Sequence, residues 1–265
     1  MFNRAELKSN AKEILRKNNT YWISFAVCLI VSLISQGVAL VFSDFDTSFS
    51  SGIITNINNE QLFQYMSLFA PFIIGFFVMR IAIDIFLFLP LSAGQKRFFI
   101  KSAQGDNSFG GVFEVFKREH YLNVVKIMFF KYLYLFLWFM LYILVYSGIL
   151  ALIFYFKLHT ILSFLCFFAL IPVIIKYYSY FFIEYIVAEN PQISKKAAFE
   201  QSCNMIREYR FKTFKLQLSF FGWLFLGALA CGIGILFVLP YMEATMTQLY
   251  FYLKNKDNNY NFCYE

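Results

Sequence analysis

The sequence lacks the residue patterns on which most enzymes and disulfide-stabilised scaffolds depend. Its five cysteines, at positions 28, 166, 203, 231 and 263, are scattered and form no C-x-x-C pair. Neither a disulfide framework nor a zinc site is therefore indicated. No phosphate-binding loop, zinc-protease helix or nucleophile-elbow motif is present, so ATP-driven, metalloprotease and α/β-hydrolase chemistry have no support.

Charged residues are also scarce, at 15% of the chain, whereas 60% of the residues are hydrophobic, including 37 Phe and 18 Tyr. A soluble domain of this length has too little interior to hide so much apolar surface. The surplus predicts a polytopic integral membrane protein. The net charge of +7 is then explained by loop lysines and arginines near anionic lipid headgroups, and not by nucleic acid.

Six apolar stretches have about the length that a helix needs to cross a bilayer, ~20 residues. The first 20 residues are too charged to form the apolar part of a cleavable signal, so the first stretch is expected to be an uncleaved anchor. We predict an all-α bundle of six transmembrane helices. They are placed near 21–42, 66–94, 122–156, 159–187, 214–231 and 234–253.

Basic residues are concentrated in alternate connecting segments. Residues 1–20, 95–121 and 188–215 hold five, five and six lysines or arginines, whereas residues 43–65 hold none. Because cytoplasmic loops of membrane proteins carry the excess of basic residues, both termini are predicted to be cytoplasmic. The richness in Phe, Ile, Asn and Lys is typical of an AT-rich genome and favours a bacterial cell membrane as the location.

Three basic segments place apolar residues at helical spacing, which predicts amphipathic helices in the cytoplasmic membrane interface. Each precedes a hairpin whose second helix contains Pro90, Pro172 or Pro240, where a kink is expected. The chain is interpreted as one integral membrane domain, 1–265. Two explanations of this pattern are open. The chain is built from three repeat units, 1–104, 105–190 and 191–265, or common features of membrane proteins align here by chance. The apolar positions are Leu7, Ala11, Ile14 and Leu15, then Val112, Phe113, Phe116 and Tyr121, then Ala198, Phe199, Cys203 or Ser202, and Ile206.

Four ionisable residues fall at the predicted membrane depth, where charges are rare and usually face the bundle interior. Arg80 and Asp84 are four residues apart and share a helix face. Lys176 and Glu243 each need a partner from another helix, and we expect them to face each other. One interpretation is a relay or a site for a charged substrate. The other is a set of salt bridges that fixes helix register.

Several other residues are interpreted as structural. Lys126 and Lys131, at the start of the third span, are expected to reach toward the headgroups. Gly232 and Gly234 predict the turn between the last two spans. Proline after Asn190 should end the fourth span there. An interfacial aromatic belt explains the tyrosines of that span, Tyr177, Tyr178, Tyr180 and Tyr185.

The C-terminal third carries a set of motifs that together are specific. They include Ile171-Pro172, Lys176, Tyr178-Ser179-Tyr180, Glu189-Asn190-Pro191, Ser202, Leu218-Ser219-Phe220, Gly222-Trp223, Gly232-Ile233-Gly234, Pro240-Tyr241 and Phe251-Tyr252. With the opening segment around Leu7–Lys12 and with Leu137-Trp138, these motifs resemble the domain-of-unknown-function 975 family of bacterial integral membrane proteins. Two positions, Val173 and Ala197, depart from the family pattern, and the second leaves the capping box that begins at Ser194 incomplete. The resemblance implies membrane residence and several spans, and no activity.

The leading functional hypothesis is a non-enzymatic membrane protein that acts through protein partners or lipids, in envelope homeostasis, peptide export or tolerance of membrane-active peptides. The alternative is a small transporter or channel that uses Arg80, Asp84, Lys176 and Glu243. A membrane-embedded enzyme is least favoured, because no nucleophile–base pair or metal-ligand set is present. No cofactor, metal or nucleic acid is expected. The expected partners are the bilayer, with anionic headgroups on its cytoplasmic face, and a membrane protein.

Overall fold

A computed structural model describes residues 3–17, 20–54, 59–155, 170–229 and 232–262, and every regular element in these ranges is helical. The predicted all-α class is therefore confirmed for the described residues. The elements are α1 (Arg4–Arg16), α2 (Thr20–Ile54), α3 (Asn59–Ile83), a π-helical turn (Asp84–Phe88), α4 (Leu89–Ala103), a 3-10 helix (Phe109–Phe116), α5 (Arg118–Tyr155), α6 (Ile171–Ser179), α7 (Ile183–Glu189), α8 (Lys195–Ile206), α9 (Arg210–Leu229) and α10 (Ile233–Phe262).

Four helical segments of the described chain are long and apolar enough to cross a membrane, and they follow the order of the first four predicted spans. The fifth and sixth predicted spans correspond to α9 and α10. In α9 the polar residues Lys212, Lys215 and Gln217 dilute the apolar sequence, so that membrane crossing by this hairpin remains a prediction. The four segments are Thr20–Gly37, Ala70–Ala103, Arg118–Ala151 and Ile171–Glu189.

The hairpin of α9 and α10 is held by two glycines in direct contact. Gly232, at the turn, has a φ of +79°, which only glycine adopts readily, so its predicted role is confirmed. Gly234 lies inside α10 and serves close packing instead. A Cβ added to Gly227 would lie 2.7 Å from the backbone nitrogen of Ile235, and one on Gly234 would lie 2.6 Å from the Cα of Gly227.

The buried residues concentrate where α4, α7 and α10 meet, and we call this region the proximal core. Phe98 of α4, Phe182 just before α7 and Tyr250 of α10 are almost completely buried. The rings of Tyr185 and Tyr250 stack with their centroids 5.4 Å apart. Polar contacts also link α4 to α7, since Arg97 donates to the carbonyl oxygen of Ala188 at 2.6 Å.

Three long helices have apolar segments that the protein does not cover: residues 33–37 of α2, 70–87 of α3 and the π turn, and 136–151 of α5. We call them the distal segments. No residue with a described side chain in these segments is buried. Phe72 is 73% exposed and Leu144 is 69% exposed. Such a large uncovered apolar surface is typical of helices that face lipid.

The first predicted amphipathic segment forms α1 and buries Leu7, Ala11 and Leu15 as expected, with Ile14 half-buried. Its apolar face packs against protein, because Leu7 belongs to the core cluster that also contains Phe220 and Leu249. That face is therefore not open to the acyl boundary. The ammonium group of Lys8 lies 4.3 Å from the ring centroid of Phe220.

The second and third segments differ in detail from the predicted pattern. Residues 109–116 form a 3-10 helix that buries Val112 and Val115 and exposes Phe113, because its three-residue turn replaces the α-helical spacing. In α8, Ser202 and not Cys203 is the buried member of the alternative pair. Ser194 caps α8 by accepting a hydrogen bond from the backbone nitrogen of Ala197 at 3.3 Å.

Each of the three prolines occupies a different local setting. Pro90 follows the π-helical turn and lies in the first turn of α4, whereas Pro172 begins α6 and Pro240 lies inside α10. Pro90 cannot donate to the carbonyl oxygen of Phe86, four residues earlier. The hydroxyl of Tyr121 donates to that oxygen instead, at 2.5 Å. Kinks at Pro172 and Pro240 remain predictions.

Candidate functional site: a buried two-pair cavity

Two ion pairs lie inside the proximal core. The Lys96 Nζ of α4 is 2.7 and 2.6 Å from the two carboxylate oxygens of Glu243 in α10. The Lys131 Nζ of α5 is 2.6 Å from the Oε1 of Glu184 in α7. The four side chains are only 7–13% exposed. Two cations and two carboxylates are thus brought together at zero net charge from four helices.

Two tyrosine hydroxyls complete the polar contacts. Tyr132 donates to Glu184 Oε1 at 2.9 Å, and Tyr185 donates to Glu243 Oε2 at 3.2 Å. The ring of Tyr185 also lies under the ammonium group of Lys96, 5.4 Å from the centroid. Buried charges are costly unless paired and hydrogen-bonded, and here each carboxylate has a cation and a hydroxyl.

The two pairs face a common cavity of about 230 Å³. Its wall combines charged groups and tyrosine hydroxyls with methionine and leucine side chains. Such a mixture of apolar lining with a few placed polar groups is typical of a binding site. The lining residues are Lys96, Lys131, Tyr132, Leu135, Tyr177, Phe181, Glu184, Tyr185, Gln217, Met242, Glu243 and Met246.

The four charges singled out from the sequence do not form one cluster. Arg80 and Asp84 do lie together, 4.0 Å apart, but on the half-exposed surface of α3 and the π turn. Glu243 pairs with Lys96, and not with Lys176 as expected. The ammonium group of Lys176 instead lies 5.2 Å from the ring centroid of Trp138.

Three members of the observed site were missed. The sequence predicts a cytoplasmic loop position for Lys96 and a headgroup contact for Lys131, because basic residues near predicted span ends are usually solvated there. The sequence pattern assigns no role to Glu184. A usable signal existed: Glu184 and Lys131 both fall inside predicted apolar spans with an opposite charge available, and intramembrane charges are seldom left unpaired.

A second ionic cluster lies at the C-terminal end of α4. Glu114 of the 3-10 helix is 2.5 Å from Lys101 Nζ and 2.7 Å from Arg97 Nε. The hydrogen bond from Lys101, reinforced by Arg97, lowers the pKa of the Glu114 carboxyl below its ordinary value of 4.5, and partial burial only partly offsets this effect. Glu189 of α7 is bound similarly by Lys254 of α10, at 2.6 Å.

An apolar groove of about 840 Å³ lies beside the cavity, between α2, the π turn, α4 and α5. Val31, Phe88, Phe129 and Leu133 contribute to its apolar wall. Tyr132 lines both the groove and the cavity. No group of three His, Cys, Asp or Glu side chains suited to a metal ion occurs in the described part of the chain.

The fold and the site together define a class: a protein whose described residues are all-helical, with four helical segments of membrane-spanning length and composition and an ion-paired cavity in its proximal core. The chain belongs to the family described as Protein of unknown function (DUF975), whose model matches residues 1–259. The resemblance seen in the C-terminal motifs is therefore confirmed and extends over nearly the whole chain. Neither a curated protein nor a solved structure matches the chain.

Proposed function

We propose that this chain is a non-enzymatic integral membrane protein that acts by binding a lipid or a protein partner, in envelope homeostasis or in the export or tolerance of membrane-active peptides. The observation that carries the proposal is the pairing inside the cavity. Lys96 and Lys131 are each neutralised by one carboxylate at 2.6 Å. A general acid or base must exchange its proton during turnover, whereas charges that are each held by an opposite charge are suited to holding a structure or a ligand.

A deletion strain tests this proposal. Loss of the protein should increase sensitivity to cationic membrane-active peptides and dye entry into the cells, and the wild-type gene should restore both. The variant Leu144→Ala, in an uncovered distal segment, should restore them equally well. A deletion strain with unchanged peptide sensitivity and unchanged permeability would contradict the proposal.

The proposed arrangement is a bacterial cell-membrane protein with six spans and both termini in the cytoplasm. The distribution of basic residues supports it. The packing of α1 beside α10, where the ammonium group of Lys12 lies 5.6 Å from the ring centroid of Tyr241, supports only the part of this proposal that puts the two termini on the same side. Fusions of a fluorescent protein to either terminus should fluoresce, and fusions of a periplasmic alkaline phosphatase should be inactive. Phosphatase activity at one terminus would overturn an even number of spans.

Three repeats of a surface element and a hairpin are part of the same proposal. Tyr121, at the start of the second hairpin, donates to a carbonyl one turn before Pro90 of the first. Tyr21, at the start of the first hairpin, donates at 3.2 Å to the carbonyl of Phe237, one turn before Pro240 of the third. The two contacts are similar but not identical, since the accepting carbonyl lies four residues before Pro90 and three residues before Pro240. Their similarity supports units related by rotation about the membrane normal.

Transport is the second candidate, because the paired charges line a cavity and are not packed against one another without space. Proteoliposomes containing the protein should then carry a protein-dependent flux of protons or a small charged solute. The variant Glu243→Gln should abolish it, since it removes one carboxylate from the cavity. A flux that is absent, or that persists in Glu243→Gln, counts against transport and leaves the binding proposal in place.

A further inference from the structure

The cavity and the apolar groove are neighbouring spaces that share one lining residue. The Tyr132 side chain borders both spaces. On α4, Ser92 lines the groove and Lys96, one turn later on the same helix face, lines the cavity. A molecule with an apolar chain and a polar end can therefore occupy the groove with its chain and the cavity with its end.

The cavity presents unused hydrogen-bonding capacity of both signs. Both hydrogen bonds that Glu184 accepts from described residues end on Oε1, from Lys131 and Tyr132. The second oxygen, Oε2, is thus available to a donor. Lys131, whose side chain is 7% exposed, donates one of its three ammonium hydrogens to Glu184. Two ammonium hydrogens are left for other acceptors. One free acceptor and a partly free cation stand side by side.

These groups select a headgroup that carries both charges. A purely anionic headgroup would be repelled by Glu184 and Glu243. A purely cationic headgroup would be repelled by Lys96 and Lys131. A zwitterion can place its phosphate near the ammonium group of Lys131 and its own ammonium group near Glu184 Oε2. Both contacts are charge-assisted and therefore stronger than neutral hydrogen bonds.

We infer that the groove and the cavity bind one zwitterionic glycerophospholipid, with an acyl chain between α2 and α5 and the headgroup at the Lys131–Glu184 pair of the cavity. The inference rests on the proposed function, of which it names the ligand. An acyl chain can enter the groove from the surrounding lipid along the distal segments, since these expose apolar surface on the helices that border the groove. Tyr132 lies at the junction, where an amphipathic ring is favoured.

Lipid retention measures this directly. The protein is purified in mild detergent, mixed with equal amounts of phosphatidylethanolamine and phosphatidylglycerol of identical acyl chains, stripped of loose lipid and weighed by native mass spectrometry. We expect one phosphatidylethanolamine per protein and about tenfold less phosphatidylglycerol, which corresponds to about 1.4 kcal/mol of discrimination. Equal retention of the two lipids, or none, would overturn the inference.

Two variants with the same chemical change locate the site. Leu133→Trp fills the groove and should reduce retention about tenfold, whereas Leu144→Trp, further along the same helix and uncovered, should retain lipid like the wild type. If both variants keep the lipid, or if Leu133→Trp instead abolishes a protein dimer, the groove does not hold an acyl chain. A phosphatidylethanolamine with a photoreactive acyl chain should crosslink to the wild-type protein at α2 or α5, and crosslinking confined to α9 would contradict the assignment.

The same preparations separate this inference from the proposed function. Protein-dependent flux that Glu243→Gln abolishes would remove the binding proposal whatever lipid is retained. If the protein shows no lipid selectivity and no flux, and the deletion strain still has increased sensitivity to the peptides, only the phospholipid assignment is removed.

Discussion

The proximal core and the distal segments differ in what stabilises them, and α5 contributes to both. In the core, α5 buries Lys131 almost completely and pairs it with Glu184. A few turns later, the same helix exposes Leu144 and carries no buried residue between 136 and 151. The first region derives its stability from specific contacts between helices, and the second needs only apolar surface for the surrounding lipid. Substitutions should therefore be costly in one region and nearly neutral in the other.

The largest effect is expected from breaking the Lys131–Glu184 pair. Glu184→Leu leaves a buried ammonium group without its carboxylate and should lower the free energy of unfolding by about 3–5 kcal/mol. The double variant Lys131→Met/Glu184→Leu removes both charges and should recover most of that loss. Denaturant unfolding in detergent micelles, followed by circular dichroism, measures both. Leu144→Ala serves as the distal control, and an equal loss there would break the comparison.

The contact between Gly227 and Gly234 should produce the next largest effect. Gly227→Ala introduces a Cβ within 2.8 Å of backbone atoms in α10, so the hairpin must separate, at a cost of about 1–3 kcal/mol. Gly222→Ala, in the same helix, meets nothing within 4 Å. That control should be stabilised by about 0.5–1 kcal/mol through better helix propensity. The unfolding midpoints of the two variants should therefore move in opposite directions.

A smaller effect is expected where Tyr121 satisfies the carbonyl oxygen freed by Pro90. Tyr121→Phe keeps the ring and removes the 2.5 Å hydrogen bond to Phe86, which should cost about 0.5–1.5 kcal/mol. Tyr146→Phe, in the distal segment of the same helix, should change stability by less than about 0.5 kcal/mol. Equal midpoints for the two variants would show that water or lipid satisfies the freed carbonyl.

The sequence predicted the distal segments better than the proximal core, for a physical reason. Long apolar runs, the break at Asn190 and the turn at Gly232 depend on neighbouring residues and on local backbone preferences, so they can be predicted from the sequence. The ion pairs depend on contacts between residues that are distant in sequence: Lys96 and Glu243 are 147 positions apart, and Lys131 and Glu184 are 53 apart.

The cavity was predictable only in part because its basic members resemble loop lysines. Lys96 lies two residues beyond the predicted second span, where the excess of basic residues near span ends makes a solvated position the better expectation. Helical periodicity places a side chain on a helix face but does not identify the helix that packs there. The π-helical turn before Pro90 was also missed, since its apolar residues fit an α-helix equally well.

The smallest expected effect concerns pH and the ionic cluster at the end of α4. The folded-state pKa of Glu114 lies below its ordinary value of 4.5, chiefly because Lys101 donates to its carboxylate. The unfolded chain therefore binds more protons between the two values, so this contribution to stability is complete above about pH 4.5 and is lost as the pH falls through the folded-state pKa. Glu114→Gln should lower stability slightly at neutral pH and should flatten the decline of the unfolding midpoint in this acidic window. Glu119→Gln, at an 85% exposed position, should leave the wild-type pH profile unchanged. A Glu114→Gln profile parallel to the wild type would show that Arg97 and Lys101 are equally well satisfied without this carboxylate.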